Sequence, residues 1–124
     1  MTMATITEDY VSFETAKLLK EKGFNEKCTH YYKNEKYLVD LGYTNIHHYT
    51  NSDLVEEFVA PTLQMAMKWL REVHDIDVSV VPLRSYEEYL PRIEGDITSH
   101  DDIPCRKYEE ACEVAIKYCL ENLI

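Results

Sequence analysis

The segment from Pro61 to His74 constrains the fold most, because its apolar residues exceed what one buried stripe can use. Leu63, Ala66, Met67, Leu70 and Val73 recur at spacings of three and four, one face of a helix. Met65 and Trp69 lie one turn apart on a neighbouring face, so the helix must be covered on two sides. A proline suits its first turn, and the spacing predicts a helix over 61–74. Two further helices follow from similar signals. Ser12 can cap an element that Gly23 stops, with Val11 placed against Ala16 and Phe24 folding back on the last turn, which predicts a helix over 12–22. Tyr108, Cys112, Ala115, Cys119 and Leu123 share one face of a helix over 108–123, with Ala111 and Ile116 beside it and carboxylates in the first turns.

Between the helices the period changes to two. Thr29, Tyr31, Tyr32, Tyr37 and Val39 lie on either side of Asn34-Glu35, which predicts a hairpin from Cys28 to Tyr43. Asn51-Ser52-Asp53 can cap a short helix over Leu54 to Val59 that Pro61 would interrupt. Ile76, Val78 and Val80 alternate with polar residues, the pattern of a strand wet on one face that ends near Pro82. A second strand runs from Glu88 to Glu94, although Ser85-Tyr86-Glu87-Glu88 also fits a capping box. The acidic stretch Glu94 to Pro104 reads as a surface loop. The expected architecture is α+β: a small antiparallel sheet of three to four strands against three main helices, in a single domain spanning 1–124. At 124 residues such a core needs no staples.

Charge limits the partners. The net charge is −10, divided into −4 over residues 1–62 and −6 over 63–124, and a field of that sign repels phosphate backbones and anionic lipid. Residues 26–50 escape it. Their charges sum to zero while they hold five of the ten tyrosines and three of the five histidines. Tyr31, Tyr32, Tyr37, Tyr43 and Tyr49, interleaved with Lys33 and Lys36, form the candidate interaction patch, to which the Met65 and Trp69 face is added. Aromatics in such a setting anchor protein interfaces or stack on bases.

The chemistry-bearing residue types occur without the spacing their chemistry needs. Cys28, His30, His47 and His48 are zinc-ligand types, but adjacent histidines on a strand diverge, so no metal site is assigned and no cofactor is expected. Cys105, Cys112 and Cys119 recur every seven residues, a rise of about 10.5 Å that prevents two sulfurs from sharing an ion or a disulfide. No nucleophile elbow, Gly-rich phosphate loop or HExxH occurs. Met1 to Tyr10 have neither a basic nor an apolar export region, and no run approaches the length of a spanning helix, so a cytoplasmic chain with four thiols and no membrane contact is expected.

The run Ala60-Pro61-Thr62-Leu63-Gln64-Met65-Ala66-Met67-Lys68-Trp69-Leu70-Arg71-Glu72-Val73-His74, the strand Asp75 to Val81 and the closing Tyr108-Glu109-Glu110-Ala111 … Ile124 resemble a group of small proteins of gut-bacterial and phage-derived genomes to which no activity is assigned. Lys107 departs from the capping Ser or Thr expected before the last helix. The resemblance implies a mobile-element origin and no mechanism. The function expected from the residues is a noncatalytic interaction or regulatory protein that binds a protein partner or itself as a homodimer. The alternatives are a nucleic-acid-binding or nucleic-acid-mimicking protein and, with no motif to support it, an enzyme.

Overall fold

The structure, a computed structural model, describes residues 8–34, 37–40, 49–94 and 105–124. Helix α1 (Phe13–Glu21) starts where the Ser12 hydroxyl accepts the Thr15 N–H at 3.3 Å. It ends in a Schellman motif: Gly23, at φ +93°, donates to the Lys20 carbonyl, and the buried Phe24 donates to that of Leu19. Helix α2 (Leu63–His74) begins two residues later than its proline suggests, because Thr62 is the cap and accepts the Met65 N–H at 3.0 Å. Asp75 takes the left-handed turn that ends it. Helix α3 (Tyr108–Asn122) starts at Lys107 with no side-chain cap and buries Ala111, Cys112, Ala115, Ile116, Cys119 and Leu120. Small residues on that face let neighbours approach closely, and α3 meets α1, α2 and the second sheet.

Among the described residues five antiparallel strands lie in two sheets. The first has the order β2 (Tyr37–Asp40), β1 (His30–Asn34), β3 (Phe58–Val59). The second is a hairpin of β4 (Asp77–Leu83) and β5 (Glu88–Glu94), paired without a break from Asp77↔Glu94 to Leu83↔Glu88. The class is α+β, with the strands divided between two small sheets instead of gathered in one. Ser85 to Glu88 is therefore not a helical cap: residues 84–87 turn the hairpin, with Glu87 at φ +54°. Residues 95–104, where a surface loop is expected, lie outside the described residues.

The expected helix over Leu54 to Val59 is overturned. The helical turn is a short 3-10 piece at Asn51–Asp53, and Phe58-Val59 pairs with Tyr32 and Tyr31. The cause is Asn51, buried, whose side-chain N–H donates to the Phe24 carbonyl at 2.7 Å and whose side-chain oxygen accepts the Val59 N–H at 3.0 Å. Those two bonds hold the chain extended between α1 and β3, and local helix propensity gives way to them. One core cluster joins residues of all three helices from Val11 to Leu120, together with Val59 and Ile93. Segment 9–11 fastens the entrances of α1 and α2 together: Val11 donates to the Pro61 carbonyl and Leu63 to that of Asp9. No helix among the described residues is long and apolar enough to cross a membrane.

Candidate functional site

Strand β1 places the tyrosines on opposite sides. Residues directly opposite in an antiparallel ladder share a face, so Tyr32, Leu38 and Phe58 look one way and Tyr31, Val39 and Val59 the other. Helix α1 covers the first face over β1 and β3. Phe13 meets the rings of Tyr32 and Phe58 edge-on at 5.7 and 5.5 Å, and the Tyr32 hydroxyl donates to the Val11 carbonyl at 2.6 Å. Burial pushes the Tyr32 phenol pKa up, and the nearby charge of Glu113 adds to the effect. Tyr32 is thus a strut between the sheet and α1, which removes it from the expected contact patch. Lys20 is committed in the same way: it lies 5.3 Å from the Phe58 ring centroid, and its ammonium donates to the carbonyls of Leu54, Val55 and Glu57.

On the other face Tyr31 and Tyr49 form an edge-on pair at 6.2 Å, brought together because Cys28 and Tyr49 exchange backbone hydrogen bonds. Both rings are half-buried. Of the expected patch, Tyr37 on the outer strand is 62% accessible and Lys33 on β1 is exposed; Leu38, not among the expected residues, is 39% accessible on the Tyr32 side. Lys36 and Tyr43, expected in the same patch, lie outside the described residues. His30 stacks on Tyr10 at 3.9 Å, with Nε2 3.7 Å from Asp40.

The Met65 and Trp69 face is corrected. Trp69 is buried, edge-on to Phe24 at 5.4 Å and to His74 at 4.7 Å, because the chain leaving α1 folds back over α2. Only Met65 of that pair is exposed, beside a groove of about 200 Å³ shared with Tyr10, Lys27 and Thr29.

Among the described residues no group of three or more His, Cys, Asp or Glu side chains could hold a metal ion. Cys28 is buried, its thiol pKa pushed up to about 12 chiefly by burial and further by Glu26, and its sulfur faces the Glu26 carbonyl. His30 is turned to Tyr10, and His47 and His48 lie outside the described residues. Cys105, Cys112 and Cys119 are all buried and outside any disulfide. Burial pushes the Cys112 thiol up to about 11. A thiol so raised stays protonated at neutral pH and is a poor nucleophile.

Sequence reasoning missed a cleft of about 460 Å³ between the tip of the β4–β5 hairpin and the start of α3. Val80, Leu83, Tyr89 and Tyr108 make its apolar walls, and Arg84 and Arg106 stand at its rim with Glu87 and Glu88. Arg84 and Arg106 are 22 positions apart, and no spacing rule connects them. They line one cleft because Tyr89 and Cys105 pair through two backbone hydrogen bonds. No protein-family model matches the chain, and neither a curated protein nor a solved structure matches it.

Proposed function

We propose that this chain is a noncatalytic interaction protein that binds a partner protein through the outer strand of its first sheet, with Tyr37 and Leu38 as anchors and Lys33 beside them. The observation that carries the reading is the exposure of those two large side chains at consecutive positions of β2, on the opposite faces of an outer strand that a partner can clasp from both sides. Burying them against a partner removes apolar surface from water while the phenol keeps a polar tip for a hydrogen bond, the combination that concentrates binding energy at interfaces. The local charge supports the same surface. Residues 26–50 carry no net charge in a chain of −10, so a partner approaches there without the repulsion exerted elsewhere. The raised thiols of Cys28 and Cys112 favour packing over covalent chemistry.

The test compares nuclease-treated affinity capture by the wild-type chain, the Tyr37→Ser/Leu38→Ser variant and Val55→Ser. Val55 is 90% exposed and lies outside the sheet, so it serves as the control. A protein recovered by the wild type and by Val55→Ser, and lost from the double variant with its fold intact, supports the assignment. Equal recovery by all three overturns it, and a partner lost on nuclease treatment favours the nucleic-acid alternative.

A further inference from the structure

The two edges of the β4–β5 hairpin differ. The N–H of Tyr89 donates to the Cys105 carbonyl at 2.7 Å, and its carbonyl accepts the Cys105 N–H at 2.8 Å, so the Tyr89 backbone faces away from β4. Hydrogen-bonded and non-hydrogen-bonded pairs alternate along an antiparallel ladder. Tyr89 opposite Pro82, Pro91 opposite Val80 and Ile93 opposite Val78 are therefore the non-hydrogen-bonded pairs. Both prolines fall where the ladder asks for no N–H. The same alternation turns the N–H and C=O of Val78 and Val80, and the C=O of Pro82, outward along the far edge of β4. Among the described residues Val78 and Val80 have no backbone partner on that side. Their side chains pack on the core, while Asp77 and Ser79 are exposed.

We propose that this edge pairs with the β4 edge of a second copy of the chain, antiparallel across a two-fold axis at Ser79, giving a four-stranded sheet. Val78-Ser79-Val80 reads the same in both directions. In that register Val78 exchanges two backbone bonds with the partner's Val80, the symmetry repeats them, and every outward N–H and C=O of both valines is satisfied. Asp77 faces the partner's Val81, so no like charges stand opposite each other. A register centred on Val80 would instead set Val78 opposite the partner's Pro82, whose missing N–H leaves the Val78 carbonyl unpaired. One strand edge buries less than the roughly 1,200 Å² of a standard interface, so the association is weak and concentration-dependent. Each copy carries −10, so added salt strengthens it. This surface is separate from the Tyr37 strand, and either assignment can fail alone.

The experiment uses the full chain carrying Ser79→Cys, treated with oxidised glutathione, beside the wild type in sedimentation at several concentrations. Residues opposite each other in a non-hydrogen-bonded pair have Cα atoms about 4.5 Å apart, within disulfide reach. Only position 79 meets its own mate in this register. The Ser79→Cys chain therefore links into a covalent dimer about tenfold faster than Arg92→Cys, an exposed site on β5 opposite Ser79. In the wild type the dimer fraction rises with protein and with salt, and Ser79→Lys, with like charges brought together at the axis, removes it. Equal linking at positions 79 and 92, or a wild-type monomer of 14.6 kDa at every concentration and salt level, overturns the proposal.

Discussion

Asn51→Ala removes the two hydrogen bonds that hold α1 and β3 together, and its cost can be worked from what remains. The Phe24 carbonyl and the Val59 N–H both lose their side-chain partner, and both belong to buried residues. A buried group left unpaired costs about 1–3 kcal/mol, so the pair costs about 3 kcal/mol after partial relaxation. For a chain of 124 residues that corresponds to a fall in Tm of about 10 °C. Urea unfolding followed by the fluorescence of Trp69, buried and the only tryptophan, measures it directly. Asn51→Asp sharpens the test. Its carboxylate still accepts from Val59 but meets the Phe24 carbonyl with charge in place of an N–H. The folded-state pKa of that Asp rises above its unfolded value, so the variant is most stable in acid, where the proton can serve as donor, and loses stability as pH rises through the interval between the two values. An Asn51→Ala protein within about 0.5 kcal/mol of the wild type, or an Asn51→Asp protein with an unchanged pH profile, would mean that Asn51 does not hold α1 and β3 together.

Three further outcomes are expected. An aromatic disulfide reagent in mildly alkaline buffer labels the native chain slowly and all four cysteines rapidly in urea, since each is buried; fast labelling of the native protein would contradict the packing. The Lys117 ammonium, 2.7 Å from Glu14, holds that carboxyl below its ordinary range, so its contribution is present above the unfolded pKa and disappears as pH falls through the lowered one. Glu14→Gln should therefore flatten the acid limb of the stability curve in low salt and change little in high salt. Gly23→Ala places a Cβ in open space at φ +93°, so its penalty is conformational alone, about 1 kcal/mol by thermal melting.

Signals carried within a few residues read correctly from the sequence. Ser12 and Gly23 bound α1 because a cap and a left-handed glycine act on their own helix, and the strand over Glu88 to Glu94 has the bounds expected of it. Side chains whose role is set by distant neighbours did not read. The second helix face of Trp69 asks for a cover, but the sequence offers that face to a partner, whereas the cover comes from Phe24, 45 positions earlier. Phe58-Val59 is too short to show a period of two, and its strand character comes from Asn51 and β1. The same limit divides the candidate patch. Tyr37 and Leu38 stand exposed on an outer strand, whereas Tyr32, identical in local composition, is claimed by a carbonyl 21 positions away.

The carboxylate of Glu113 on α3 accepts hydrogen bonds from the Ser12 backbone, the Ser12 hydroxyl and the Thr15 hydroxyl, across 101 and 98 positions of chain. The start of the first helix is thus anchored by the last, and the core between them draws on both. Closing a loop of that length costs entropy before any contact returns it, so the search for the native state is slow compared with that of a bundle of local hairpins. During synthesis the apolar faces of α1 and α2 remain uncovered until α3 has emerged. The interval before Glu113 reaches Ser12 is when this chain most needs protection from aggregation, and a chaperone holding α2 would act in that window.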